Sequence, residues 1–109
     1  MTTITIYKTK DEINGFIVEG HSGYAEEGMD IVCASVSILS YTVLNSINLV
    51  AGIDPENISY SVEEETGLMS LRTLVNNEKT DVIYRSFMVG IELLLEDYSE
   101  YITLKFEEV

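Results

Sequence analysis

The sequence predicts an α+β fold in which two helices pack against a mainly antiparallel sheet, in the order β-β-α-β-β-α-β. Three observations predict it. Short segments alternate apolar and polar residues, two longer segments carry apolar residues at helical spacing, and polar or glycine-containing turns separate them. The chain has 109 residues, a length that suits one core, so we expect a single domain over residues 1–109.

The chain begins with two predicted strands. Threonine and isoleucine alternate through residues 1–7, and a second apolar run covers residues 16–19. Since Asn14-Gly15 is a common hairpin turn, we expect the two strands to be joined there. Residues 20–30 then hold three glycines, which predicts a tightly bent or mobile loop.

The first helix should begin after Asp30, because aspartate is a favoured N-cap residue. Gly52 and Pro55 mark its end. One apolar stripe runs between these signals at spacings of three and four residues; it consists of Val32, Val36, Leu39, Val43, Ile47 and Val50.

The second half repeats the hairpin-helix pattern and adds a last strand. The predicted elements are a strand over 58–62, an acidic turn over 63–67, a strand over 68–75, a helix capped by Asn77 through about Tyr98, and a strand over 101–106. The helix should pack through Ile83, Phe87, Ile91, Leu94, Leu95 and Tyr98. Three tyrosines are candidates for an exposed contact surface: Tyr84, Tyr98 and Tyr101.

The composition excludes some partners. The net charge is −13 with six Lys and Arg residues, which disfavours nucleic acid and anionic membrane surfaces. An acidic chain can steer a basic partner, or its charge can simply keep it soluble. The start lacks the features of a signal peptide, and the longest apolar candidate, residues 31–51, is interrupted by polar residues. We therefore expect a cytoplasmic protein with no membrane contact.

The chain contains one cysteine and one histidine, twelve residues apart across the glycine loop. Cys33 would be the third residue of the first helix, where the helix dipole favours the reactive thiolate. Free N–H groups at that helix end could also stabilise an oxyanion. His21 is the candidate general base. Asp30 could orient His21 or only cap the helix, and Ser37 lies one turn after Cys33 on the same face.

Other interpretations stay open at this point. A lone cysteine is often a small core residue and a lone histidine often lies on the surface. A Cys/His pair is also compatible with peptidase, thioester or transferase chemistry. The residue spacing suggests neither a metal site nor a phosphate-binding loop, so we expect no metal or other cofactor.

The segment 20–37, GHSGYAEEGMDIVCASVS, resembles the ribosomal-processing cysteine protease family (Prp). The resemblance is carried by Gly20, His21, Gly23, Ala25, Gly28, Asp30, Val32, Cys33, Ala34 and Ser37. It implies a bacterial homodimer that removes the N-terminal extension of large-subunit ribosomal protein number twenty-seven after a phenylalanine-containing motif, for ribosome assembly. It also implies that Cys33 is the nucleophile, His21 the catalytic histidine, and Asp30 and Ser37 supporting residues.

The resemblance further implies a mobile lid or hinge over the site, formed by Gly20, Ser22, Gly23, Tyr24, Ala25, Glu26, Glu27 and Gly28. The acidic Glu26 and Glu27 could meet basic residues of the substrate. We therefore expect a cysteine endopeptidase without a cofactor, whose partner is a basic ribosomal protein precursor. A non-catalytic acidic module that binds a ribosomal protein or assembly factor is the alternative, and a thioester-forming transferase is a third possibility.

Overall fold

The sheet and both helices are seen in a computed structural model, which describes residues 1–26 and 29–109. The element order confirms the predicted β-β-α-β-β-α-β arrangement. The elements are β1 (Thr2–Thr9), β2 (Glu12–Glu19), α1 (Ile31–Leu49), a short 3-10 turn (Pro55–Asn57), β3 (Ile58–Glu63), β4 (Leu68–Thr73), α2 (Glu78–Tyr98) and β5 (Ile102–Glu108).

The five strands form one sheet in the spatial order β3-β4-β2-β1-β5. Every pairing is antiparallel except that of β1 with β5, so the sheet is mainly antiparallel as predicted. Strand β2 lies at the centre of the sheet between β4 and β1, and β3 and β5 lie at the edges. As a result the end of β2 lies next to β4, and the turn that joins β3 to β4 is brought close to residue 20.

The predicted turn at Asn14-Gly15 is wrong. The hairpin turns at Lys10-Asp11, where Lys10 has a φ of 57°, and Asn14 and Gly15 lie inside β2. Gly15 is needed there for another reason, because a Cβ atom on it would overlap the carbonyl oxygen of Leu71 on β4. A glycine that allows two strands to approach each other looks the same in sequence as a glycine that makes a turn.

Helix α1 begins where the sequence predicts. The Asp30 carboxylate accepts hydrogen bonds from the backbone N–H groups of Val32 (3.0 Å) and Cys33 (2.9 Å). Most of the predicted stripe is buried or packs against the core, but Val50 is 59% exposed, because it is the C-cap residue rather than part of the last packed turn. Within the described residues, α1 is long and apolar enough to cross a membrane; core helices share this property.

Helix α2 begins with a capping box formed by Asn77 and Thr80. Its inner face is the predicted one, with Phe87 and Ile91 buried and the other members half-buried. Tyr84 is also buried, at 1% exposure, so the prediction that it is exposed is wrong. The ring of Phe87 stacks on Phe16 of β2 at 4.2 Å between centroids, and burying such a side chain contributes about 2–3 kcal/mol.

Candidate active site

A cleft of about 310 Å³ lies between the first turns of α1, the end of β2 and the β3–β4 hairpin. Both Cys33 and His21 line it, and Ser37 lines it as well. The rest of its wall is formed by Thr2, Val18, Gly20, Val36, Ser40, Tyr41, Val62, Glu63, Glu64, Gly67, Leu68 and Met69. The sole cysteine and the sole histidine of the chain are thus brought into one cavity.

Cys33 is half-buried in the first turn of α1. Its sulfur accepts a hydrogen bond from the backbone N–H of Ser22, at 3.2 Å from nitrogen to Sγ. This contact joins the segment after β2 to the start of α1, although the two residues are eleven positions apart. The backbone of Cys33 therefore belongs to the helix, and its sulfur contacts the segment that was predicted to form a lid.

The Asp30 carboxylate holds both sides of this contact. Oδ1 caps the helix, and Oδ2 accepts hydrogen bonds from the Ser22 hydroxyl (2.6 Å) and the Ala25 N–H (3.4 Å). Burial acts to raise the pKa of the Asp30 carboxyl, but the hydrogen bonds from Ser22, Cys33 and Ala25 hold its pKa below the ordinary value. The bonds of Asp30 go to the cap and to the 22–25 segment, rather than to His21.

The helix end does not offer the free donors that the sequence suggested. The N–H groups of Val32 and Cys33 donate to the Asp30 carboxylate, and the N–H of Ala34 donates to the Asp30 carbonyl oxygen at 3.0 Å. These first-turn donors are engaged by their own cap. The expectation that the N–H groups of Val32 and Cys33 are free to hold an oxyanion is wrong.

His21 is an exposed side chain that follows directly after β2. Its Nε2 atom lies 3.0 Å from the carbonyl oxygen of Glu65, in the β3–β4 turn. A carbonyl oxygen only accepts hydrogen bonds, so Nε2 must carry the proton in this contact. The neutral ring then has its free lone pair on Nδ1, which is the atom able to take up a proton.

Two turn glycines lie beside the histidine, and Gly67 leaves room for its ring. Gly20 and Gly67 both have positive φ angles, of 83° and 67°. A Cβ on Gly67 would lie 2.7 Å from the Gly20 carbonyl oxygen and 3.3 Å from Cε1 of His21. Sequence reasoning missed Glu65 and Gly67 as site residues, because it gave residues 63–67 only as an acidic turn. A glycine in that turn indicates an unusual backbone conformation. It does not indicate that the turn will lie next to His21.

A family model described as cysteine protease Prp matches residues 1–103. The chain belongs to the cysteine protease Prp family. Relatives named ribosomal processing cysteine protease Prp are 27% identical in Staphylococcus aureus (98% of this chain, 100% of the relative) and 26% identical in Bacillus subtilis (92% of each).

A solved structure agrees with this membership in the Prp family. It is described as an essential ribosomal processing protease Prp from S. aureus in complex with a covalently linked product peptide. The two chains share 27% identity and superimpose with a TM-score of 0.85, over 98% of this chain and 100% of the other. The fold of the present Prp-family chain is therefore that of a cysteine protease across its whole length.

Two of the predicted lid residues, Ser22 and Tyr24, pack against the rest of this Prp-family chain. Ser22 is buried, and the Tyr24 ring packs edge-to-face on Tyr98 and Tyr101, with centroids 5.6 and 5.2 Å apart. The neighbouring Gly23, Ala25 and Glu26 are exposed. Of the remaining predicted lid residues, Gly20 lies at the cleft wall, whereas Glu27 and Gly28 lie outside the described residues.

The described residues contain no group of three or more His, Cys, Asp or Glu side chains that could hold a metal ion. What the arrangement offers is a sulfur with one N–H donor, an imidazole with a free Nδ1 lone pair, and a cavity between them. These parts suit nucleophilic acyl chemistry with a general base.

Proposed function

We propose that this Prp-family protein is a cysteine endopeptidase that removes the N-terminal extension of large-subunit ribosomal protein number twenty-seven, after a phenylalanine-containing motif. The observation that carries the proposal is that Cys33 and His21, which are the sole cysteine and histidine of the chain, line one cleft. Membership in a cysteine protease family supports the same reaction class.

The chemistry proceeds through a thioester. Nδ1 of His21 accepts the Cys33 thiol proton, and the sulfur attacks the scissile carbonyl carbon to give a tetrahedral intermediate. As the C–N bond breaks, the imidazolium returns the proton to the leaving amine. Water, deprotonated by His21, then attacks the thioester, releasing the acid product and restoring the thiol. The covalently linked product peptide named for the S. aureus relative supports this covalent route.

The cleft walls suit an apolar residue flanked by basic ones. Val18, Val36 and Met69 contribute apolar surface on the sheet and helix sides, which favours a phenylalanine side chain. Glu63 and Glu64 line the hairpin side of the same cleft. Ribosomal proteins are basic, and a chain with a net charge of −13 attracts them by its long-range field. We propose that these two features select the precursor.

The test is cleavage of a synthetic peptide that spans the extension and the first mature residues of ribosomal protein twenty-seven from the same organism. Wild type should cut it once, and Cys33→Ala should lower the rate by at least about 10³-fold while folding is kept. Ser35→Ala is the matched control, because its hydroxyl bonds the Ile31 carbonyl in the same helical turn. Cleavage by Cys33→Ala at the wild-type rate would refute the proposal, and binding without cleavage by wild type would favour an acidic binding module.

We further propose a homodimer in the cytoplasm. The proposal is supported by apolar side chains exposed along and just after α1, where Ile38, Leu49 and Val50 are 65%, 78% and 59% exposed. Sedimentation equilibrium should give twice the 12.2 kDa chain mass. A single species at the chain mass, at concentrations where cleavage proceeds, would contradict the dimer.

A further inference from the structure

We propose that Ser22 is a positioning residue for the Cys33 thiolate: its hydroxyl, anchored on Asp30, holds its own backbone N–H against the cysteine sulfur. The inference rests on the proposed role of Cys33 as the nucleophile. It goes beyond that role because it assigns to a serine of the supposed lid a part in making the sulfur reactive.

Hydrogen bonds fix the buried Ser22 from several directions. It is 3% exposed, its hydroxyl donates to Oδ2 of Asp30 at 2.6 Å, and the same hydroxyl oxygen accepts the N–H of Tyr24 at 3.2 Å. A serine that both donates and accepts in a buried position has little rotational freedom. Its backbone N–H is therefore held in one direction, towards Sγ of Cys33 at 3.2 Å.

The Asp30 carboxylate positions both Cys33 and Ser22. Oδ1 of Asp30 fixes the backbone of Cys33, and Oδ2 fixes the side chain of Ser22. The sulfur and its donor are thus positioned relative to the same group, and movement of either requires a bond to Asp30 to break. Ser22 therefore acts on the cysteine through a contact that Asp30 holds at both ends.

The Ser22 N–H also affects the charge state of the Cys33 sulfur. A thiolate accepts hydrogen bonds more strongly than a neutral thiol, so an N–H aimed at the sulfur favours the thiolate. The N–H groups of Val32, Cys33 and Ala34 are engaged by Asp30, whose negative charge also opposes a second anion nearby. The Ser22 N–H supplies a donor that the helix end does not.

Other titratable groups also face the cleft and enter any pH profile of the sulfur. They are His21 from the end of β2, Asp30 from the cap, Glu63 and Glu64 from the hairpin, and Tyr41 from α1. A change at Ser22 leaves all of them in place. Ser22→Ala also removes a hydrogen bond that lowers the pKa of Asp30, so its profile is compared with that of Ser22→Thr, which keeps the hydroxyl.

The experiment measures the rate at which iodoacetamide alkylates Cys33, from about pH 5 to pH 9, in wild type and in Ser22→Ala. The variant should be alkylated about tenfold more slowly near neutral pH, with its profile displaced upward by about one pH unit. Ser22→Thr, which keeps the hydroxyl, should restore the wild-type profile. Ser35→Ala should leave the profile unchanged, since its hydroxyl bonds a helix carbonyl away from the sulfur.

Superimposed profiles for wild type and folded Ser22→Ala would overturn the proposal, as would an equal shift in Ser35→Ala. If Ser22→Ala does not fold, Ser22→Thr and Ser22→Val form a replacement pair that differs by one hydroxyl; equal profiles for these two would also overturn it. Alkylation needs no substrate. A wild type that cleaves no peptide would therefore count against the proposed function and leave the Ser22 assignment to be judged by the profiles.

Discussion

At the scale of single residues, Asp30 determines the geometry of the site. One of its oxygens begins helix α1, and the other holds Ser22 and Ala25 next to Cys33. Hydrogen bonds from Ser22, Cys33 and Ala25 to this buried carboxylate explain why its pKa lies below the ordinary value in spite of burial. The residue therefore links local helix formation to the position of the Cys33 sulfur.

Asp30→Asn tests this link through the pH dependence of stability. The amide can still cap the helix but loses the charge, so we expect a cost of about 1–2 kcal/mol near neutral pH. The folded-state pKa is lowered, so the carboxylate stabilises the fold above the ordinary value, and this contribution is lost as pH falls through the folded pKa. Urea unfolding from about pH 7 to pH 3 should show the two proteins converging; a constant difference would contradict the assignment.

Tyr84 should make the free energy of unfolding depend on pH in the opposite direction, at alkaline pH. Burial raises its pKa to about 12, while the hydroxyl of Thr73 lies 3.0 Å from its own hydroxyl. Between pH 10 and 12 the unfolded chain loses this proton and the folded chain keeps it, so stability falls as pH rises through this range. Tyr84→Phe should be less stable than wild type by about 1 kcal/mol at pH 8. The difference should shrink near pH 11, and an unchanged difference would contradict the assignment.

At the scale of elements, the site depends on two turns that touch. The turn after β2 and the β3–β4 turn approach each other through Gly20 and Gly67, and the Glu65 carbonyl then fixes the imidazole of His21. The adjacent pairing of β2 with β4 brings the two turns together. The position of His21 is thus a consequence of strand order, not of its distance from Cys33 along the chain.

Gly67→Ala tests this contact, with Gly52→Ala as a matched control. Both glycines have positive φ, at 67° and 72°, but an added Cβ meets the Gly20 carbonyl oxygen at residue 67 and nothing within 4 Å at residue 52. Each substitution costs about 1–2 kcal/mol of backbone strain. Gly67→Ala should cost more and should lower peptide cleavage at least about tenfold, whereas folded Gly52→Ala keeps it. Equal losses of cleavage in the two variants would show that the turn contact does not position His21.

At the scale of the whole molecule, charge is the dominant feature. A net charge of −13 on 109 residues creates a field that attracts basic chains over a distance set by ionic strength. The acidic residues Glu63 and Glu64 continue this field into the cleft. Under the proposed function, capture of a basic precursor would depend on the whole surface, whereas cleavage would depend on a few atoms.

Ionic strength should affect capture of a basic substrate more than the cleavage step. Raising the ionic strength from about 0.05 M to 0.5 M should lower kcat/KM for a basic precursor peptide by roughly tenfold, through slower association. The value for a peptide whose basic residues are replaced by glutamine should change by less than about twofold. If both peptides lose kcat/KM equally, the acidic surface does not select the substrate.

Much of this fold could be predicted from sequence because local signals and tertiary structure agree. Asp30 caps α1 and Asn77 caps α2 as predicted, since a cap needs only its own neighbours. The Asn14-Gly15 turn was wrong because the demand on Gly15 comes from β4, more than fifty residues away. The same limit applies at the site: the Ser22 contact to Cys33 and the Glu65 contact to His21 depend on which loops the topology brings together.

Reversible blocking of Cys33 tests the central claim most directly. Methyl methanethiosulfonate should add one methylthio group to the chain, since Cys33 is its sole cysteine. Peptide cleavage should fall in proportion to the modified fraction measured by intact mass spectrometry, reach zero at full modification, and return when a reductant removes the group. Undiminished cleavage by fully modified protein would contradict the assignment of Cys33 as the nucleophile.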